Sequence, residues 1–204
     1  MNEIKNILEQ LRKTKVQVLI ILLVAFVLFY YKSLITNVVE SKVKKDEIKH
    51  DINNSILIHQ LLNDLMLRYN ADRGYIFRFH NGIMYYDGTH KNHQSLAYEV
   101  CNRGISSEAM QLQNLPTSLF PRFLQEIMLN KMCYSDINDI KENATRIALH
   151  EQGIKSVVAC PVFKNGKFTA YIGLDFVKDS LSEDFNYHEF KNQTDEIGAI
   201  LNGK

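Results

Sequence analysis

Between Val16 and Tyr31 the chain reads VQVLIILLVAFVLFYY, one polar residue in sixteen. A helix this apolar on every face belongs in hydrocarbon, not against the core of a soluble fold. Sixteen residues rise only about 24 Å at about 1.5 Å each, and a span of about 30 Å takes roughly 20. Extension through Leu34, Ile35, Val38 and Val39 predicts a transmembrane helix over 16–39. Lys32 then snorkels toward headgroups, and Tyr30 and Tyr31 sit near an interface. Residues 1–15 form a basic leading segment, with Arg12, Lys13 and Lys15 nearest the run; Lys32, Lys42, Lys44 and Lys45 follow it, so the flanking charges nearly tie and favour an inside N-terminus by a small margin. No small-x-small cleavage pattern follows Tyr31, which predicts a retained anchor.

The helical pattern continues past the membrane run. The first glycine is Gly74 and the first proline Pro116, so residues 2–70 hold no strong helix breaker. Leu34, Val38, Ser41, Lys45, Ile48, Ile52, Ser55, His59, Leu62 and Met66 recur at alternating four- and three-residue steps. They predict a stalk over 40–68 that pairs with a second copy along an imperfect heptad seam. Ile52, Ile56, Leu57, Leu61, Leu62, Leu65 and Met66 give its end a broad apolar face.

From Ala71 the period changes to two. Gly74–His80 alternates and predicts a strand closed by a turn at Asn81-Gly82; Ser95–Asn102 predicts a second strand. Leu119–Leu129 reads as a helix opened by Pro121, and Asn143–Glu151 as another that stops at Gly153. Lys155–Phe163 and Phe168–Val177 predict two strands joined by a hairpin turn at Lys164–Lys167. A last helix covers Phe185–Leu201. The fold class that follows is α+β: a central antiparallel sheet of about five or six strands flanked by helices.

The formal charge is +1, which predicts no nucleic-acid partner. Cys101, Cys133 and Cys160 fit neither a zinc pattern nor a disulfide framework, and each is expected to be a small buried hydrophobe. His90 and His93 sit with Asp87 in what reads as a solvated loop. No metal and no cofactor are predicted, and no catalytic residues.

The pieces ADRGYIFRFHNG, LAYEVCNRGIS, CYSDINDI and above all GIKSVVACPVFKNGKFTAYIGLDF, with Pro161 after the apolar run, resemble the GAF domain family, a PAS-related sensor fold. The resemblance covers roughly 52–202. It implies a sensory or scaffolding module, and relatives bind cyclic nucleotides, tetrapyrroles or small metabolites, or simply dimerise. Phe190 with Asp195-Glu196 departs by one residue from the cyclic-nucleotide signature, and Asn165-Gly166-Lys167 replaces its adjacent Asn-Lys. A bilin-ligating cysteine beside a histidine is not found. Cys101 and Cys133 lie in regions loosely comparable to the cysteines of free-methionine-sulfoxide reductases, without the glycine-rich context. No output domain follows the last helix, so the expected action runs through a homodimer, a protein partner or the membrane helix.

Three functions are therefore weighed: a membrane-anchored sensor or scaffold, a small-molecule receptor, and a redox enzyme resembling those reductases. The expected site is a pocket over one sheet face. Tyr75, Phe77 and Phe79 share a strand face, with Arg78 and His80 on the other. Tyr98, Asp136, Arg146, Tyr171 and Asp175 are polar groups among apolar neighbours. Asp136 and Arg146 either hold a charged ligand or pair with each other. Asp175 needs a partner or an exposed position, a sheet edge being the simplest. The three cysteines suit a reducing compartment, so the soluble domain is expected in the cytoplasm behind a single pass through the cell membrane.

Overall fold

Ser156–Lys164 reads SVVACPVFK, apolar at successive positions, because it lies between two helical layers in the computed structural model. Val158, Cys160 and Val162 enter one core, and Val157 and Ala159 the other. A strand covered on both faces shows a continuous apolar run instead of alternation. The structure describes the backbone of residues 2–130 and 132–203, and side chains within these except at 2–13 and 33–47.

The chain divides into two compact units, 1–52 and 53–204. Helix α1, Asn2–Arg68, runs through the first and into the second. In the first unit every described side chain from 14 to 32 is exposed, and Thr14–Lys32 is long and apolar enough to cross a membrane. The predicted seam positions Leu34, Val38, Ser41 and Lys45 lie outside the described side chains. Ile48 and Ile52 are exposed.

The second unit is a six-stranded antiparallel sheet in the order β3-β2-β1-β6-β5-β4. Its strands are β1 Arg73–Met84, β2 His90–Cys101, β3 Leu115–Pro116, β4 Cys133–Tyr134, β5 Ser156–Lys164 and β6 Lys167–Phe176. The end of α1 covers one face with α4, Tyr187–Leu201. There Ile58, Leu62, Leu65 and Met66 meet Ile76, Ile172, Leu174, Phe190 and Ile197. The other face lies under α2, Pro121–Met128, and α3, Asn143–Glu151. Asn165 and Gly166, at φ +52° and +74°, make the predicted β5–β6 turn. Asp72 joins the start of β1 to the end of β6, accepting from the amides of Val177 and Lys178 at 2.8 and 2.7 Å.

Several expectations are corrected. Asn81-Gly82 is not a turn: β1 runs on to Met84, and the reversal falls at Tyr85–Thr89, where Asp87 accepts from the Thr89 amide at 2.9 Å. Gly82 is glycine because the His93 ring lies against it; a Cβ there would stand 1.4 Å from Nδ1. His93 is accordingly buried, not solvated. Leu62 and Met66, read as seam positions, are filled against their own domain, whereas Ile56 and Leu57 stay exposed and Ile58 is buried instead. Among the cysteines only Cys160 is buried; Cys133 is exposed on a two-residue edge strand paired on one side. Strands β3 and β4 are too short to leave a period in the sequence.

Candidate functional site

Three cross-strand pairs of β1 and β6 form the floor of a cavity: Arg73 with Asp175, Tyr75 with Gly173, and Phe77 with Tyr171. Directly opposite residues in an antiparallel ladder put their side chains on the same face. Odd positions from 73 to 77 and from 171 to 175 therefore point together under α2 and α3. Gly173 gives Tyr75 its place: a Cβ there would stand 2.3 Å from Tyr75 Cζ. Phe77 and Tyr171 stack at 5.1 Å, and the Tyr75 ring meets Phe77 edge-on at 5.8 Å.

The roof comes from Phe123 on α2, Thr145, Ala148 and Leu149 on α3 with Gln152 at its C-cap, and Leu112, Leu115 and Phe120 before α2. Glu142 fastens both helices. Its carboxylate accepts from the Arg122 and Phe123 amides at 3.0 and 3.3 Å and from the Thr145 hydroxyl at 2.7 Å. An anionic side chain at helix N-termini satisfies amides that lack intrahelical partners. The space between floor and roof is about 70 Å³, room for roughly five waters. Ligand clefts for drug-sized molecules run to about 300–1,000 Å³.

Arg73 is the charged centre, its side chain 2% exposed. Nη1 donates to Asp175 Oδ2 at 3.3 Å and to Gln152 Oε1 at 3.0 Å; Nη2 donates to the Ser106 carbonyl at 3.0 Å. Nε stands 3.1 Å from Glu99 Oε1, an ion pair by distance without an aligned hydrogen bond. Glu108 lies 3.8 Å from Nη2. Burial opposes the Arg73 charge, but Asp175 and Glu99 more than offset it, and its pKa rises above the ordinary value.

Asp175 is the other pole. It lies on a central strand, buried, so the sheet-edge expectation is corrected and Arg73 is the partner the chemistry required. Oδ1 has no hydrogen-bond partner. The Tyr75 hydroxyl lies near enough to interact with the carboxylate as a donor and favours its ionised form. Burial pushes the Asp175 pKa up to about 7, and Arg73 holds it from going higher. Burial likewise raises Tyr75 and Tyr171 well above the ordinary phenol value. The Tyr171 hydroxyl donates to Gln94 Oε1 at 3.0 Å.

Of the residues singled out by sequence, Tyr75, Phe77, Tyr171 and Asp175 line this cavity. Phe79 lies further along β1 against Phe168, ring centroids 4.7 Å apart, beside an open surface groove. Tyr98 is on the opposite face, 3.2 Å from Ser55 Oγ and edge-on to His59. Asp136 caps a short 3₁₀ turn, accepting from the Asn138 amide, and Arg146 donates to the Ile140 carbonyl and to Asn143. Asp136 and Arg146 thus form their contacts separately. Sequence reading missed Arg73, Gln94, Glu99, Phe123, Glu142 and Gln152. Arg73 was within reach: it shares the odd parity of Tyr75 and Phe77.

Among the described residues no group of three or more His, Cys, Asp or Glu is placed to hold a metal ion. All three cysteines are free. Cys101 on β2 stands three strands from Cys160 and four from Cys133, on the order of 14 and 19 Å at about 4.8 Å per strand. Cys133 opposes Val158, so it reaches Cys160 only diagonally, at about 7–8 Å. That is beyond the usual disulfide Cα range of about 4.4–6.8 Å.

No protein-family model matches the chain, and no curated protein matches it. Solved structures do. GAF3 of Slr1393 from Synechocystis sp. PCC6803, in its photoproduct state, superposes at a TM-score of 0.57 with 12% identity, over 74% of this chain and 94% of that one. The blue-light-absorbing form of the PixJ GAF domain from Thermosynechococcus elongatus gives 0.59 and 9%, over 76% and 88%. A GAF domain region from Geobacter sulfurreducens PCA gives 0.57 and 12%, over 78% and 99%. At these identities the likeness speaks for backbone architecture alone: the sheet and its two helical layers have a GAF-like fold.

Proposed function

We propose that the chain is a membrane-anchored sensory module whose GAF-like domain receives a small molecule in the cavity between the sheet and helices α2 and α3. One observation carries this reading: the Asp175 oxygen that has no partner is buried at the cavity wall. Folded proteins pair nearly all buried polar atoms, and a small hydrogen-bond donor entering the cavity completes this one. That favours a receptor over a pure scaffold. The separation of the cysteines speaks against thiol chemistry.

The anchor is residues 16–39, supported by the all-round exposure of apolar side chains between Val16 and Tyr31. The domain faces the cytoplasm, and occupancy is passed through α1 to a second copy of the chain or to a partner protein. Exposed Ile48 and Ile52 are the contact positions for a parallel pair.

A cavity-filling variant tests the receptor reading. Full-length protein in mild detergent is melted with and without a small-molecule extract of the host cell. The extract is expected to raise the melting temperature of wild type and not of Ala148→Leu, which fills the roof. Equal response of both, or of neither, counts against the reading.

A further inference from the structure

We infer that the molecule received in this cavity is a small organic cation with at least one N–H donor, a short-chain primary or secondary ammonium. The inference rests on the receptor reading above and names its ligand class.

Anions are disfavoured first. The one guanidinium at the cavity already has Asp175 and Gln152 on Nη1 and Ser106 on Nη2, and the Glu99 carboxylate stands 3.1 Å from Nε without an aligned hydrogen bond. The Tyr171 hydroxyl is committed to Gln94. An entering anion meets the Asp175 carboxylate in the cavity wall, with the Glu99 carboxylate behind Arg73.

A cation finds the reverse. Two buried carboxylates and the part-buried Glu108 face one arginine, so a further positive charge offsets part of the excess negative charge. Asp175 Oδ1 accepts its N–H. The surrounding wall is aromatic, with Tyr75, Phe77, Phe120, Phe123 and Tyr171 lining the space. Aromatic faces attract ammonium groups, and most strongly where water is excluded. A purely apolar guest of the same size would leave Oδ1 unpaired at a cost. A volume of about 70 Å³ limits the guest to roughly four to six heavy atoms by comparison with the water-sized probe.

The test uses full-length protein in detergent at pH 8 and three probes of similar shape: isopropylammonium, isopropanol and isobutyrate. Calorimetric titration is expected to give binding of isopropylammonium alone, with a Kd on the order of tens to hundreds of micromolar for so few atoms. Asp175→Asn is expected to weaken it at least tenfold. Phe123→Leu keeps the carboxylate and an apolar roof but removes one ring, and is expected to weaken it several-fold; it carries the test if Asp175→Asn does not fold. Isopropanol or isobutyrate binding as tightly as the ammonium overturns the cation inference and leaves the receptor reading standing. No binding by any probe also overturns it, and a wild-type response to extract that Ala148→Leu lacks then still supports a receptor of another class. Unchanged affinity in Phe123→Leu contradicts the aromatic contribution and with it the inference.

Discussion

Arg73 and Asp175 face each other across the β1–β6 ladder with Nη1 3.3 Å from Oδ2, each side chain at least nine-tenths buried. This pair decides what the domain's covered sheet face can do. It puts charge under two helices, where a well-packed apolar pair would serve stability as well.

Arg73→Met leaves Glu99 and Asp175 buried with no cation between them. The expected loss is about 3–5 kcal/mol of folding free energy. Denaturant melting of full-length protein checks it, and a loss under 1 kcal/mol would mean the carboxylates relax into solvent.

The raised pKa of Asp175 has a signed consequence. The folded carboxyl titrates at about 7 against an ordinary value of 3.8. The folded state therefore binds more protons between these values, and stability is lost as pH rises through them. Compared with Asp175→Asn, wild type is expected to lose on the order of 2–4 kcal/mol between pH 4 and 8. The facing groups are Arg73, Tyr75, Glu99, Cys101, Glu108 and Tyr171, and none of the phenols charges in that window. A flat difference between the two proteins across this range would show that Asp175 stays ionised throughout. Ammonium affinity is expected to rise with pH through about 7, because only the carboxylate pairs with the cation.

Gly173→Ala puts a methyl 2.3 Å from Tyr75 Cζ. The ring is buried and cannot swing aside freely, so a cost of about 1–3 kcal/mol is expected, with Tyr75 displaced from Asp175. An unchanged melting temperature would contradict the close approach.

Ile48 and Ile52 are 63% and 55% exposed in the single chain. Replacing both with aspartate is expected to abolish the full-length dimer in detergent, since it would bury unpaired charge. Crosslinking at position 48 reports it; no dimer band from wild type, with a surface control reacting, removes the parallel pair.

Exposed Cys133 reports sidedness without engineering. A membrane-impermeant thiol reagent is expected to label it only after permeabilisation, with Cys133→Ser as control, and the protein should resist alkaline extraction. Labelling in intact cells would place the domain outside.

The sheet's central strands and the three helices of the domain were legible from alternation in β1, a continuous apolar run in β5 and breakers such as Pro121 and Gly153 at the helix ends. The β5–β6 hairpin was legible through Asn165-Gly166. What escaped was whatever depends on contact. Gly82 looks like a turn residue until the His93 ring is seen against it. Leu62 and Met66 fit a heptad and a core face equally, and the domain core takes them. Of the residues that line the cavity, strand parity pointed to Tyr75 and Phe77, and polarity among apolar neighbours to Tyr171 and Asp175. Asp136 and Arg146 looked available because polar residues among apolar neighbours also arise at caps. Glu142 and Phe123 could not be assigned, since their roles exist only once α2 and α3 cross the sheet.

Occupancy of the cavity is the most direct measure of the account. Full-length protein, purified in mild detergent and released gently into a native mass spectrometer, is expected to carry a small basic adduct. Ala148→Leu, prepared identically, is expected to carry none. An adduct of equal abundance on both proteins, or bare protein in both, would contradict the claim that this cavity is the receptor site.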